Sequence, residues 1–232
     1  MSKNIKNPKD LTVIYLTASE IKESFAEYQR KILVEAVGDY PLISVSRKPL
    51  NFGLNIIDDG ERSLSNIYRQ MLRAAKVATT EYVATAEDDT LYHENHFNFY
   101  RPNKETFAYN QNRFALFTWG EPMYSWRDRK SNCSLIAPRE LLIEALEERF
   151  AKWPEGTPDK ITGEVGRGMV ERNMGITVRK SVEVFSEVSV IQFNHDNASE
   201  DRQVRHRKKL GQIKVYDIYH WRKAEDLVKN YK

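Results

Sequence analysis

Glu87-Asp88-Asp89 is the segment whose residue types point most directly to chemistry. It follows Tyr82-Val-Ala-Thr-Ala86, a run without clear polar alternation that reads as a strand buried on both faces. Ligands of open α/β sheets bind beyond the carboxyl ends of strands, so these three acids stand where a site forms. Crowded carboxylates repel one another unless solvent or a cation offsets the charge. An oxygen-preferring divalent ion, Mg²⁺ or Mn²⁺, does this and can also hold a diphosphate. Without a cation the same segment reads as a solvated acidic turn.

The second chemical feature is basic. The net charge is +3, yet the stretch from Gln192 to Lys232 holds 10 basic against 6 acidic residues, while the residues before it hold 26 against 27. Much of the excess lies in one run: Arg202, Arg205, Arg207, Lys208 and Lys209. Such a run either meets the phosphates of a nucleotide or nucleic acid, or is a solvated face. Among the five histidines, His93 and His96 share a helical face, but no third ligand accompanies them for zinc and Pro102 soon breaks the helix. His195 follows an apolar run and on residue type alone reads as structural.

Several classes are excluded. A single cysteine, Cys133, allows no internal disulfide, thiolate zinc cluster or iron–sulfur site. No apolar run approaches the ~20 residues that span a bilayer. The first ten residues are polar, so the expectation is a soluble protein of a reducing, cytoplasmic compartment. Neither GxGxxG nor GxxxxGK[ST] is present, which argues against dinucleotide and P-loop enzymes. Leu16-Thr-Ala-Ser-Glu20 lacks the glycines of a phosphate loop, which argues against nucleotidyl transfer to a sugar phosphate.

These residues need a scaffold. A chain of 232 residues with 41% hydrophobic and 30% charged residues makes one large domain or two small ones. Leu11–Leu16 reads as a buried strand and Glu20–Val37 as a helix, with Ser19 its cap and Gly38 its end. Leu42–Ser46 is a second strand, and 47–60, with Pro49, Gly53 and Gly60, a loop. Ser63 or Ser65 caps the next helix, with Ile67, Met71, Leu72, Ala75 and Val77 inward. Strand and helix alternating in this way imply a mostly parallel, doubly wound α/β sheet over the first hundred residues. The second half is mixed: strands at Thr106–Tyr109, Phe114–Thr118 and Cys133–Ala137, a helix over Pro138–Ala151, a long Gly/Pro-rich loop over 153–168, and an extended Ser181–Phe193.

The stretch from Ser65 to Asp89, a helix and a strand ending in acids, resembles the lead into the DXD motif of GT-A-fold glycosyltransferases, especially family-2-like ones. Here the motif reads Glu-Asp-Asp. The likeness continues more weakly to about residue 200, through Asn132–Leu142, which is similar to the acceptor-side strand and helix start. It takes in Gly163-Glu164-Val165-Gly166, where Val165 replaces the second acid of the usual pair. It ends on Val190-Ile-Gln-Phe-Asn-His195, similar to a late strand that carries a metal-binding histidine.

The resemblance implies a single GT-A-like domain over 1–232. Residues 1–100 would be its nucleotide-sugar half, 101–200 its acceptor-side half and 201–232 a basic C-terminal segment. It implies a nucleotide-diphosphate-sugar donor, UDP by default, and Mn²⁺ or Mg²⁺ held by Asp89, His195 and Asp88. It implies inversion at the anomeric carbon, with Glu164 as the base; Glu121, Glu155 and Asp159 compete for that role. Donor contacts are expected from Thr17, Ala18 and Ser19, from Arg47, Asn66 and Arg69, from Glu87 and Asp88, and from Arg202, Arg205 and Lys208. Trp119 and Trp126 flank a turn and offer faces for a sugar or base. For the acceptor, the basic run favours DNA bearing a hydroxymethylpyrimidine over a surface polysaccharide or lipid-linked sugar. A non-catalytic nucleic-acid-binding module is the third reading, and it leaves the acidic segment unexplained.

Overall fold

The computed structural model describes residues 10–126, 128–195, 211 and 213–231. Arg202, Arg205 and Lys208, expected over the donor phosphates, lie outside the described residues.

Apolar, β-branched stretches form the strands of a seven-stranded sheet in the order β10-β6-β9-β4-β1-β2-β3. Its members are β1 (Leu11–Thr17), β2 (Leu42–Ser46), β3 (Leu54–Ile57), β4 (Tyr82–Glu87), β6 (Thr106–Asn110), β9 (Leu135–Pro138) and β10 (Lys180–Val184). All its pairings are parallel except those of β9, which runs antiparallel to both β4 and β6. All seven residues of β1 are buried, as expected of a central strand covered on both faces. One face carries α2 (Leu64–Val77) and α4 (Arg139–Lys152) over Ile14, Val45, Met71, Val83, Leu135 and Leu146. The other packs Leu11, Val13 and Tyr15 against Leu33, Ala36 and Val37 of α1 (Glu23–Val37) and against Phe97 of the short α3 (Glu94–Asn98).

A second sheet of five strands has the order β12-β8-β7-β11-β5. It is built from β5 (Thr90–Leu91), β7 (Arg113–Phe117), β8 (Tyr124–Trp126), β11 (Val190–Asn194) and β12 (Ile213–Val215). Its apolar face, with Leu116, Ile191 and Phe193, packs on Phe25 of α1 and on Leu227 and Val228 of the last helix, α6 (Ala224–Tyr231). A small ribbon of β13 (Asp217–Ile218) and β14 (Arg222–Lys223) leads into α6, and α5 (Gly168–Met174) follows the long 153–168 loop.

The departures from the sequence expectations have local causes. The 47–60 stretch contains an edge strand, β3, because its Leu54-Asn-Ile-Ile57 pairs with β2 beyond Gly53, whose φ is +65°. Ser63 caps α2, accepting from the Asn66 N–H at 3.0 Å, but Val77 is exposed there and Tyr68 is buried instead. Ser19 does not cap α1; it sits at φ +55°, with its N–H bonded to Thr17 Oγ1. The expected Ser181–Phe193 strand is two strands in different sheets, broken at Phe185–Ser189, where Asn110 and Asn112 take up the backbone and side chain of Ser186. Cys133 begins no strand: Asn132–Ser134 form a 3₁₀ turn before β9. His93 and His96 do not converge. His93 caps α3, whereas His96 is fully buried against Asn110.

Candidate active site

Strands β2 and β3 lie to one side of β1 and β4 to the other, so the chain reverses its winding between β1 and β4. In open α/β sheets such a switch point, at the carboxyl ends of the two strands, is where ligands bind. Leu16 pairs with Glu87, which brings Thr17 beside Asp88, and the Thr17 hydroxyl donates to Asp88 Oδ2 at 2.5 Å. Thr17 and the acidic segment therefore meet at these strand ends, and the Ser19 N–H donates to Thr17 Oγ1 at 2.9 Å.

The three acids have different surroundings. Glu87 is held at its backbone, its N–H donating to Tyr92 Oη at 3.1 Å and its carbonyl accepting from Gln29 Nε2 at 3.3 Å. Its carboxylate accepts from Gln192 Nε2 at 3.3 Å. Asp89 accepts from the Thr90 hydroxyl at 2.7 Å, and its other oxygen, Oδ2, lies 3.8 Å from His195 Nε2. The two residues meet because β5 pairs with β11: Gln192 stands opposite Thr90, and the Phe193 N–H donates to the Asp89 carbonyl at 2.7 Å.

Burial, reinforced by Asp89 and then Asp88, pushes the Glu87 carboxyl up to about 8. Burial and Asp89 push Asp88 up to about 7, against the lowering effect of the Thr17 hydrogen bond. A cation beside these acids would relieve that crowding. Among the described residues no three His, Cys, Asp or Glu side chains are grouped to hold a metal. Asp89 and His195 supply two donors, which suits Mg²⁺ or Mn²⁺, ions that commonly rest on one or two protein groups with phosphate oxygens and water.

Glu164 is the residue expected as the base. It lies on the loop before α5 and is buried, its carboxylate paired with Arg167 at 3.1 Å and Arg129 at 3.7 Å. Its charge is among those that raise Glu87, so it belongs to the same electrostatic neighbourhood. The loop is tightly pinned. Arg149 Nη2 donates to the Gly163 carbonyl at 2.9 Å and Tyr109 Oη to the Val165 carbonyl at 2.7 Å. The Ser181 hydroxyl donates to the Gly166 carbonyl at 2.6 Å, and the Gly166 N–H donates to Glu171 Oε1 at 2.7 Å. Gly166 has φ +69°, and a Cβ there would stand 2.7 Å from the Phe107 ring. Four elements thus hold this loop's backbone, the kind of support that preorganises a reacting side chain.

The remaining residues named from the sequence are placed as follows. Arg47 Nη1 donates to the Gly60 carbonyl at 2.8 Å. Asn66 Nδ2 donates to the buried Asp58, which also receives Gln70 and Arg73. Arg69 binds the Pro154 carbonyl and stacks over Phe150. Trp119 follows Thr118, which bonds the Asn194 carbonyl, so its loop borders His195. Trp126 donates to the Gln111 carbonyl at 2.7 Å.

Sequence reasoning missed Gln29, Tyr92, Gln192, Arg113, Arg149 and Glu171. The one available signal was a glutamine inside each of two otherwise amphipathic or apolar elements; nothing local marked the others.

No protein-family model matches the chain, and no curated protein matches it. Solved structures do match. The mannosyltransferase PcManGT from Pyrobaculum calidifontis, in complex with GDP-Man and Mn²⁺, aligns with a TM-score of 0.50 at 12% identity, over 89% of this chain and 63% of its own. A glycosyltransferase involved in glycosylation of the major capsid of PBCV-1 aligns with a TM-score of 0.49 at 10% identity, over 85% of this chain and 98% of its own. The bifunctional IspDF from Campylobacter jejuni aligns with a TM-score of 0.41 at 13% identity, over 77% of this chain and 50% of its own. The chain thus spans half of one and under two thirds of another of these proteins. At such identities the likeness is one of fold, and the fold is of the GT-A type.

Proposed function

We propose that the chain is a divalent-metal-dependent glycosyltransferase that moves a sugar from a nucleoside-diphosphate donor to an acceptor hydroxyl. One observation carries this reading: Asp89 and His195, far apart in sequence, face each other at 3.8 Å beside Glu87 and Asp88 at the switch point of the sheet. The mannosyltransferase of similar fold was solved with GDP-Man and Mn²⁺, which supports the donor class. UDP is the default nucleotide carrier, from the sequence resemblance.

Asp89 and His195 would hold the ion, with Asp88 beside them. Bound there, the ion would supply Lewis acidity to a diphosphate leaving group. The chain's own residues do the rest. Thr17 holds Asp88 in register with β1. Glu164, buried and pinned, accepts the proton of the acceptor hydroxyl as it attacks. A single in-line displacement of this kind inverts the anomeric centre. Arg129 and Arg167 hold the Glu164 carboxylate in place.

For the acceptor, hydroxymethylpyrimidine DNA is the first reading, supported by the basic run of residues 202–209. A glycan is the second, supported by Trp119, whose loop borders His195. No described helix is long and apolar enough to cross a membrane. The test is a thermal-shift screen of nucleotide-sugars with and without Mn²⁺, followed by transfer assays on modified DNA and on oligosaccharides. Mn²⁺-dependent stabilisation by one donor, lost in Asp89→Asn, is the expected result. Stabilisation by DNA alone, indifferent to Asp89→Asn, identifies a binding module instead.

A further inference from the structure

We propose that Gln192 is a positioning residue for the metal corner: with Arg113 behind it, it fixes the Glu87 carboxylate so that Asp88 and Asp89 are presented in one orientation. This rests on the metal-binding reading above.

The argument begins in the strands. Val190 stands opposite Arg113 in the parallel β7–β11 pair, so Gln192, two residues on, projects to the same face. Arg113 is buried, and its Nη1 donates to Gln192 Oε1 at 2.9 Å. A guanidinium only donates, so the amide oxygen must face Arg113 and the amide nitrogen must face Glu87. That nitrogen lies 3.3 Å from Glu87 Oε2. The amide therefore has one orientation, set by the charge behind it.

The other Arg113 terminal nitrogen, Nη2, donates to the Arg129 carbonyl at 3.0 Å, and the Arg129 side chain reaches Glu164. One guanidinium thus ties the acidic segment to the stretch that borders the proposed base. The arrangement also gives a physical reason for Glu where the DXD pattern has Asp. Glutamate is longer by one methylene, and that length carries its carboxylate across to a strand of the neighbouring sheet. Its backbone is already held by Tyr92 and Gln29, so the Gln192 contact removes the remaining freedom of the side chain. Outer-shell partners of this kind orient the groups that touch the ion.

The experiment measures binding of Mn²⁺ alone, from the electron paramagnetic resonance signal of the free ion, in the full chain and in Gln192→Met and Gln192→Glu, with melting points alongside. Gln192→Met keeps the length but neither donates nor accepts. Gln192→Glu still accepts from Arg113 but turns a carboxylate toward Glu87, and it carries the test should Gln192→Met not fold. The expected result is Mn²⁺ affinity about tenfold weaker or more in both, beyond anything the melting points explain. A purely structural role lowers the melting point and leaves affinity within about twofold, which overturns the proposal. A purely electrostatic role makes Gln192→Glu bind tighter, since it adds negative charge, and that also overturns it. Asp89→Asn separates the two levels. Lost binding there with unchanged binding in the Gln192 variants removes the relay and keeps the metal site. A parent chain that binds no Mn²⁺ removes both.

Discussion

The carboxylate of Asp89 and the imidazole of His195 face each other across 3.8 Å because a two-residue strand, β5, pairs with β11 directly behind them. The pairing fixes both backbones: the Phe193 N–H reaches the Asp89 carbonyl at 2.7 Å. Both side chains are therefore placed by a sheet, the more rigid kind of support. Asp89→Asn keeps this backbone bond and removes the charge. The expected outcome is a folded variant in which Mn²⁺ no longer raises the melting point in the presence of a nucleotide-sugar. Differential scanning fluorimetry checks it.

Glu164→Gln tests the proposed base. The carboxamide keeps the shape but accepts no proton. Transfer is expected to fall by about 10²–10⁴-fold, while donor binding in the Mn²⁺ corner stays near that of the parent. Titration calorimetry of the donor beside initial rates separates the two effects. An equal loss of donor affinity would place Glu164 in donor binding rather than proton transfer.

Gly166→Ala tests whether the pinned loop is a real constraint. The residue sits at φ +69°, and the added methyl would meet Phe107 and the Lys180 carbonyl. Left-handed backbone and overpacking together are expected to cost about 2–4 kcal/mol, read from urea unfolding. Catalytic loss should accompany it, because the Glu164 carboxylate hangs from the neighbouring residues.

His96 gives a pH dependence with a definite sign. It is fully buried, its Nδ1 lies 3.0 Å from the Asn110 amide nitrogen, and burial followed by the Arg101 charge holds its pKa down at about 3. The folded chain therefore refuses a proton that the unfolded chain accepts below about 6.5. The unfolded state binds more protons as pH falls, so stability is lost from about 6.5 downward, by up to about 1.4 kcal/mol per pH unit. His96→Phe is expected to remove that loss, so the stability of the variant relative to the parent rises as pH falls from 7 to 5. The raised Glu87 and Asp88 act in the opposite direction, so the difference between parent and variant, rather than either curve, isolates His96.

Much of the frame was legible in the residues themselves. Tyr82–Glu87 reads as a buried strand because both its faces are apolar, and acids placed directly after it lie at a strand end in any α/β sheet. Ser63 and Ser65 both mark the start of α2 as cap-type residues, and Ser63 makes the bond to a backbone N–H three residues on. These are short-range relations, repeated every two or 3.6 residues, and a single segment contains the whole signal.

What only the tertiary structure decided is which segments meet. A sequence run over Ser181–Phe193 looks continuous, yet it divides between two sheets because β10 finds β6 and β11 finds β7 and β5. Gln192 looks like an interruption in an apolar strand until β11 lies beside β5 and its amide faces Glu87. Glu164 looks like an exposed loop acid until Tyr109, Arg149, Glu171 and Ser181 converge on the backbone of its neighbours Gly163, Val165 and Gly166. Periodicity tells each strand which face to bury but not which partner to choose. That choice comes from closing long stretches of chain around a shared core, and no local pattern records it.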